Sequence, residues 1–469
     1  MLTRLRIEGF KNLLDVDVRF GPFTCVAGPN GAGKSNLFDA IFFLHLLTKH
    51  PIMEAVRRLR ETKGRSPEPR SLFTAFGSFR APAMRFTADL IVDRDVQDDF
   101  GVSTQASIST LRYSVTFGLT HENGTERLEL VDESLIPIKL TDARRTLSFR
   151  SSKGFRDSCV LGRRSGAPFV STSADGTERV IQVHQEGHGG RKVPAPKSSR
   201  TVLGGMASSD FPTVLAVHRE MESWKTLLLE PSAMRAPSFY QDERSIDARG
   251  ANLAASIYRL QQEEDRPGGV CAELANRLAE LIEDVQELRI RDDSKTETLT
   301  VEMRGPDGIF HPARSLSDGT LRFLVLATLM LDPDVRGIIC LEEPENGIHP
   351  QRIPPMVRLL QDIAVDPGTA VGSDNPLRQV VVNTHSPEVF QNVNPETDLI
   401  FVEEERIARE GARGRVAAVH VPTVSWRANT EPRPRQLAPG RVRAYLGHAA
   451  PQYPRQLWLD YAKAGHETV

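Results

Sequence analysis

Eight consecutive residues constrain this chain more than any others: Gly28-Pro29-Asn30-Gly31-Ala32-Gly33-Lys34-Ser35. They complete the pattern G-x-x-x-x-G-K-[ST], with the apolar run Phe23 to Ala27 before them and Leu37, Ile41, Leu44 and Leu47 at helical spacing after them. Strand, glycine loop and helix in that order point to an α/β sheet with the loop at a strand's carboxyl end. Glycine lets successive backbone N–H groups converge on phosphate oxygens, and the unsatisfied N–H groups opening the next helix favour the same anion. Gly28, Asn30, Gly31, Ala32, Gly33, Lys34, Ser35 and Asn36 are therefore the expected phosphate-binding residues. Lys34 is a mobile charge for the β- and γ-phosphates, and Ser35 a hydroxyl for Mg²⁺. A glycine-rich turn with a chance lysine is the competing reading, and the downstream partners weigh against it.

Gly337 to Leu341, GIICL, is an apolar run short enough to be a strand buried on both faces, and it ends in Glu342-Glu343-Pro344-Glu345-Asn346. Carboxylates at such a strand end stand beside the phosphate loop. Glu342 is placed to hold Mg²⁺ through water and Glu343 to polarise an attacking water. Adjacent strand residues point oppositely, but the chain leaves the strand here, which lets both serve one site. A second buried-looking strand, Gln379 to Asn383, runs into Thr384-His385-Ser386-Pro387, where an imidazole at the strand end can contact the γ-phosphate. The bland alternatives are an exposed acidic turn and a loop histidine without a task. Ser315-Leu316-Ser317-Asp318-Gly319-Thr320 precedes the helix-like Leu321 to Leu331, and a serine and glycine opening a helix make an anion-binding corner at Ser317 and Gly319.

With RLRIEGFKNL (Arg4 to Leu13), LSDGT (Leu316 to Thr320), LEEPENGIHP (Leu341 to Pro350) and Thr384 to Pro387, the sequence resembles ATPases of the ABC and SMC class. More narrowly it resembles the RecF/OLD-related AAA-type ATPases of prokaryotes, over roughly the first 400 residues. The resemblance implies an α/β, ABC-type P-loop NTPase head with a mixed core sheet, an antiparallel side sheet and a helical insert. It implies ATP and Mg²⁺ as ligands, with Lys34, Glu343 and His385 catalytic and Ser35 and Glu342 on the metal. It also implies a homodimer or higher oligomer, in which Ser317 and Gly319 of one head complete the other's site. The sequence departs from the wider class in carrying Glu342 where Asp is commoner. Gln97 and Gln105 are candidates for the family's glutamine loop by approximate position alone. OLD-type relatives often add a Toprim nuclease domain, whereas the 68 residues after Phe401 contain no Asp-x-Asp. The expected nuclease or effector is therefore a separate protein.

At 469 residues the chain has material for two or three domains, or for one α/β body with an insert. Their expected limits are 1–60 (hairpin and phosphate loop), 61–240 (side sheet and basic loop), 241–300 (short helices), 301–403 (signature, acidic strand and histidine) and 404–469 (Arg/Pro-rich extension). Alternating segments at Met84 to Val92, Arg112 to Leu119 and Leu128 to Val131 are the expected side-sheet strands. Helical spacing from Leu253 to Leu288 breaks at Arg266-Pro267-Gly268-Gly269, so two short helices replace a long coiled-coil arm.

A net charge of −2 gives no overall attraction to nucleic acid. Two stretches do, locally: 150–205 has ten Lys or Arg against four acids, and 406–456 has ten Arg against two. They are read either as solvated loops or as surfaces touching DNA. Four scattered cysteines encode neither a zinc module nor a disulfide framework, and a reducing cytoplasm is expected. The nine-residue run Phe323 to Leu331 is too short for a membrane span, and MLTRLRIEGF lacks the apolar stretch of a secretion signal. The functional expectation is Mg²⁺-dependent ATP hydrolysis by paired heads, coupled to DNA transactions or phage defence. Its alternatives are a nucleotide-gated scaffold holding a toxin or nuclease, and the nucleotide-binding subunit of a transporter.

Overall fold

The computed structural model describes residues 1–59, 68–122, 124–139, 147–162, 167–175, 178–184, 190–206, 208–263, 268–282 and 285–446. Three short apolar segments build its central sheet. Phe23–Ala27 is buried throughout, Arg378–Thr384 likewise, and Gly337–Glu342 is buried up to its last residue. Burial on both faces is the condition of an interior parallel strand. The seven strands run in the order Lys225–Leu227, Gly337–Glu342, Arg378–Thr384, Phe23–Ala27, Leu399–Arg409, Ala412–Val421, Arg435–Gln436. The first five are mutually parallel, and the hairpin Leu399–Arg409/Ala412–Val421 makes the sheet mixed. The strand Leu399–Arg409 crosses position 403, so the sheet continues into the segment expected as an extension.

A second sheet of eight strands is antiparallel throughout. The expected strands are there as Met84–Ile91, Thr110–Glu122 and Thr125–Pro137. The opening hairpin, Leu2–Phe10 and Leu13–Arg19, forms one end of this sheet. At the other end lie Val170–Asp175, Glu178–Val183 and Arg191–Pro194, inside the basic stretch expected as solvated loop. That expectation is corrected: short alternating strands pair there despite the surrounding Gly and Pro.

The helix Lys34–Lys49 lies between the two sheets and fixes the loop before it. Leu37, Phe38, Ile41, Phe43, Leu44 and Leu47 are buried in one cluster with Ile7 and Phe86 of the side sheet and Val26, Ile338 and Val381 of the core sheet. Phe43 meets Phe86 and Phe117 at ring separations of 5.7 and 5.8 Å. The helix Asp318–Leu331 is buried without interruption from Gly319 to Leu329, as a helix enclosed on all sides must be.

Two short helices, Leu253–Glu263 and Gly269–Leu281, stand within the span that the 3.6-residue spacing predicts, and Arg266 and Pro267 of the expected break lie outside the described residues. The end of that span is corrected, because Leu288 belongs to the strand Glu287–Asp293. A small antiparallel sheet, Ser238–Phe239, Glu287–Asp293, Thr298–Arg304 and Phe310–Pro312, accompanies them. Mixed core sheet, antiparallel side sheet and helical piece together are the α/β P-loop NTPase head that the resemblance implies. Among the described residues, no helix is long and apolar enough to cross a membrane.

Candidate nucleotide site

Strand register brings the sequence motifs to one level. Glu342 is paired with Asn383, Asn383 with Val26 and Thr384 with Ala27, so three carboxyl ends finish side by side. The loop leaves the last of them through Gly28, Gly31 and Gly33 at φ of 150°, 80° and 108°. The protein itself demands two of these glycines. A Cβ on Gly28 would sit 2.0 Å from the Val402 carbonyl oxygen, and one on Gly33 would sit 2.7 Å from the Asn12 amide. Gly31 faces open space, where an incoming ligand can approach the backbone. Pro29 and Asn30 are exposed, and Ala32 is buried.

Lys34 Nζ donates to the carbonyls of Gly28 and Pro29, at 2.7 and 2.9 Å. Burial lowers its pKa, and the charges of Glu343 and Glu345 act in the opposite direction. The ammonium thus bridges its own loop, among carbonyls that are weaker partners for it than phosphate oxygens. Ser35 Oγ stands 3.5 Å from Glu342 Oε2, joining the helix start to the acidic strand end. A hydroxyl and a carboxylate suit Mg²⁺, which takes one or two protein oxygens and fills its octahedron with phosphate and water. Among the described residues, no cluster of three or more His, Cys, Asp or Glu forms a self-sufficient metal cage.

Glu343 turns away from the strand at φ 47°, a left-handed conformation rare outside glycine. Its N–H donates to the Asn383 backbone carbonyl and to Asn383 Oδ1, both at 3.1 Å. This turn resolves the problem of adjacent acids on opposite faces. The carboxylate's Oε1 lies 2.9 Å from His385 Nδ1, and its Oε2 accepts from Asn346 Nδ2 at 2.8 Å. Glu345 is buried, with its carboxyl pKa pushed up by desolvation, and it accepts from Thr384 Oγ1.

Ser317 caps the helix Asp318–Leu331, accepting from Thr320 N at 3.1 Å, and remains exposed. Asp318 pairs with Arg235. A Cβ on Gly319 would lie 3.5 Å from the Gly347 carbonyl, so the signature corner sits against the turn that follows Glu345. Among the described residues, neither Ser317 nor Gly319 hydrogen-bonds to the phosphate loop of the same chain.

Several residues that sequence reasoning passed over complete the site. Asn12, in the turn of the opening hairpin, accepts from Asn36 Nδ2 at 2.8 Å and reaches Ala32 O at 3.4 Å, while Lys11 pairs with Asp39 at 2.6 Å. The amide of Asn36 is therefore turned to Asn12. The one signal for this pair was the break in strand alternation at Lys11-Asn12. Asn346, Asn383 and Thr384 carried no signal beyond their nearness to the acids and the histidine. Gln97 and Gln105 belong to a small hairpin and use their amides within it, on Gly101 O and Asp95 at 2.8 Å each.

Residues 217–390 match a family described as "AAA domain, putative AbiEii toxin, Type IV TA system", and residues 1–61 match the RecF/RecN/SMC N-terminal domain. The chain is 49% identical over 41 residues to an OLD nuclease of Thermus scotoductus, covering 9% of this chain and 8% of that protein. It is 48% identical over 44 residues to the DNA replication and repair protein RecF of Magnetococcus marinus, covering 9% and 12%. RecF of Porphyromonas gingivalis is 41% identical over 51 residues, covering 11% and 14%. These matches thus span between 8% and 14% of the relatives' own length. Among solved structures, an SMC head bound to the C-winged helix domain of ScpA is 13% identical, with a TM-score of 0.47 over 89% of this chain and 97% of that one. The SMC head domain of Thermotoga maritima is 14% identical, with a TM-score of 0.36 over 88% and 98%.

Proposed function

We propose that this chain, a member of the SMC/RecF/AAA ATPase superfamily, hydrolyses ATP with Mg²⁺ as a head-to-head dimer. It couples ATP binding to a DNA transaction or to phage defence through a separate effector or nuclease. The observation that carries this reading is the alignment of three strand ends, which sets Lys34, the Ser35–Glu342 pair and the Glu343–His385 pair at one edge of the sheet.

Lys34 exchanges the carbonyls of Gly28 and Pro29 for phosphate oxygens, and the backbone from Gly31 to Ser35 supplies N–H donors. Ser35 and Glu342 would hold Mg²⁺, and the ion, when bound, would supply positive charge against that developing on the phosphates. Glu343 orients a water in line with the γ-phosphorus and takes its proton, while the bond to the β,γ-bridging oxygen breaks and ADP leaves with that electron pair. His385 keeps one ring nitrogen on Glu343 and offers the other to the γ-phosphate. The exposed Ser317 and Gly319 corner completes the partner's site.

DNA contact falls on the hairpin Leu399–Arg409/Ala412–Val421. Arg406 and Arg415 lie directly across from one another there, with Arg409 and Arg413 nearer the tip, and all four are exposed. Arg415 pairs with Glu404. Like charges directly opposed cost stability unless an anion relieves them. The test is ATP turnover and mass of the purified chain at low salt, with and without DNA. DNA-stimulated turnover with salt-dependent binding is expected. A chain that neither binds nor hydrolyses ATP overturns the reading.

A second reading, the nucleotide-gated scaffold with slow or no turnover, is favoured by one observation: both oxygens of Glu343 are engaged, by His385 and Asn346. An ATP-dependent oligomer with little hydrolysis supports it, and rapid turnover without any partner overturns it.

A further inference from the structure

The turn after Glu343 buries a third carboxylate to which the proposed chemistry gives no task. Glu345 is 9% exposed, and its two oxygens are treated differently. Oε1 accepts from Thr384 Oγ1 at 2.5 Å, whereas Oε2 is buried with no hydrogen-bond partner among the described residues. A carboxylate kept only for stability is an unfavourable choice at such a place, because an unsatisfied buried acceptor costs free energy that an apolar residue avoids.

What Oε1 holds gives the residue its meaning. Thr384 is the last residue of the strand Arg378–Thr384, and its hydroxyl both donates to Glu345 and accepts from Ser386 N at 2.9 Å. One hydroxyl thus ties together the residues before and after His385. Ser386 then caps the helix Pro387–Gln391, its Oγ accepting from Glu388 N and Val389 N at 3.2 and 3.4 Å. Between these anchored neighbours the imidazole of His385, partly exposed, meets Glu343 at 2.9 Å. Glu343 and Glu345 belong to the same turn, closed by Asn346 N to Glu343 O at 3.1 Å and Ile348 N to Glu345 O at 3.0 Å. The turn therefore grips the histidine segment twice, once directly through Glu343 and once from behind through Glu345 and Thr384.

We propose that Glu345 is a positioning residue: through the Thr384 hydroxyl it fixes the backbone on both sides of His385 and so sets the His385–Glu343 pair. Its kinetic consequence rests on the ATPase reading above, but the positioning itself does not.

The experiment uses the full chain with ¹⁵N-labelled histidine, the His385 signals being identified by their loss in His385→Gln. Glu345→Ala and Thr384→Val move the His385 imidazole signals in the nucleotide-free chain. Glu345→Gln, whose amide oxygen still accepts from Thr384, leaves them in place and melts no lower than the wild type. ATP turnover falls by about 100-fold in Thr384→Val, as a misplaced catalytic pair entails, while ATP affinity is unchanged and Glu345→Gln stays near wild type. His385 signals that stay put in both Thr384→Val and Glu345→Ala overturn the proposal, as does a Glu345→Gln chain that behaves like Glu345→Ala. Should the wild type turn over no ATP while the signals respond as described, the hydrolase reading fails and the positioning role stands.

Discussion

Oε1 of Glu343 lies 2.9 Å from Nδ1 of His385, and its second oxygen accepts from Asn346 at 2.8 Å. The proposed general base and the proposed γ-phosphate contact are therefore one unit, built by a turn and a strand end 42 residues apart. A nucleotide that draws His385 towards its γ-phosphate changes the surroundings of Glu343 in the same movement.

Glu343→Gln keeps an acceptor oxygen for His385 but cannot take a proton from water. General-base removal of this kind costs about 100- to 10,000-fold in rate. We expect turnover to fall by that order while ATP affinity changes little, as phosphate release and equilibrium nucleotide binding will show. Turnover within a few-fold of the wild type reassigns the base.

The three loop glycines are not equivalent. At Gly28 an added Cβ meets the Val402 carbonyl, part of a paired strand that cannot yield, whereas at Gly31 it meets nothing within 4 Å. Gly31→Ala then costs about 1–2 kcal/mol for its left-handed backbone alone. Gly28→Ala adds a backbone clash and belongs with the exceptional losses above about 4 kcal/mol. Thermal unfolding of the two variants side by side measures the difference, and equal losses contradict the geometry.

The phosphate loop, the acidic turn and His385 were legible because each is a local pattern with its own chemistry. What closes the site was not. Asn383 holds the Glu343 N–H because strand register places it opposite Glu342, and no spacing in the sequence announces that register. Asn12 reaches the loop because the opening hairpin packs across the helix Lys34–Lys49, a tertiary fact. Val170–Asp175 is hidden by its Ser and Thr, and Leu399–Arg409 by a charged outer half that runs beyond the buried part of the sheet.

Glu133, on the side-sheet strand Thr125–Pro137, is fully buried, accepting from Val202 N, Leu203 N and the Tyr113 hydroxyl at 2.6, 2.9 and 3.0 Å. Burial outweighs these donors and pushes its pKa up to about 7. The unfolded chain releases that proton near pH 4.3, so between roughly 4.3 and 7 the folded state binds more protons. Its stabilising contribution is complete below that window and is lost as pH rises through about 7. The full span is worth roughly 4 kcal/mol. Glu133→Gln removes the titration, so the Tm of the variant minus that of the wild type should grow as pH rises across the window. A pH-independent difference contradicts the assignment.

A site divided between two heads has a distinctive arithmetic. Lys34→Ala spoils a chain's own phosphate loop and leaves its Ser317 corner intact, while Ser317→Arg does the reverse. Ser317 is exposed and caps its helix through Thr320, so arginine there fills the corner without entering the core. Each variant alone has no complete site. Mixed in equal amounts, half of the pairs are hybrids, and each hybrid joins one sound loop to one sound corner. The two-fold relation of a dimer then predicts recovery of about a quarter of wild-type turnover. Phosphate release across a mixing series, with a maximum at equal proportions, is the expected result. A flat series at the level of the single variants means that Ser317 does not act across a dimer.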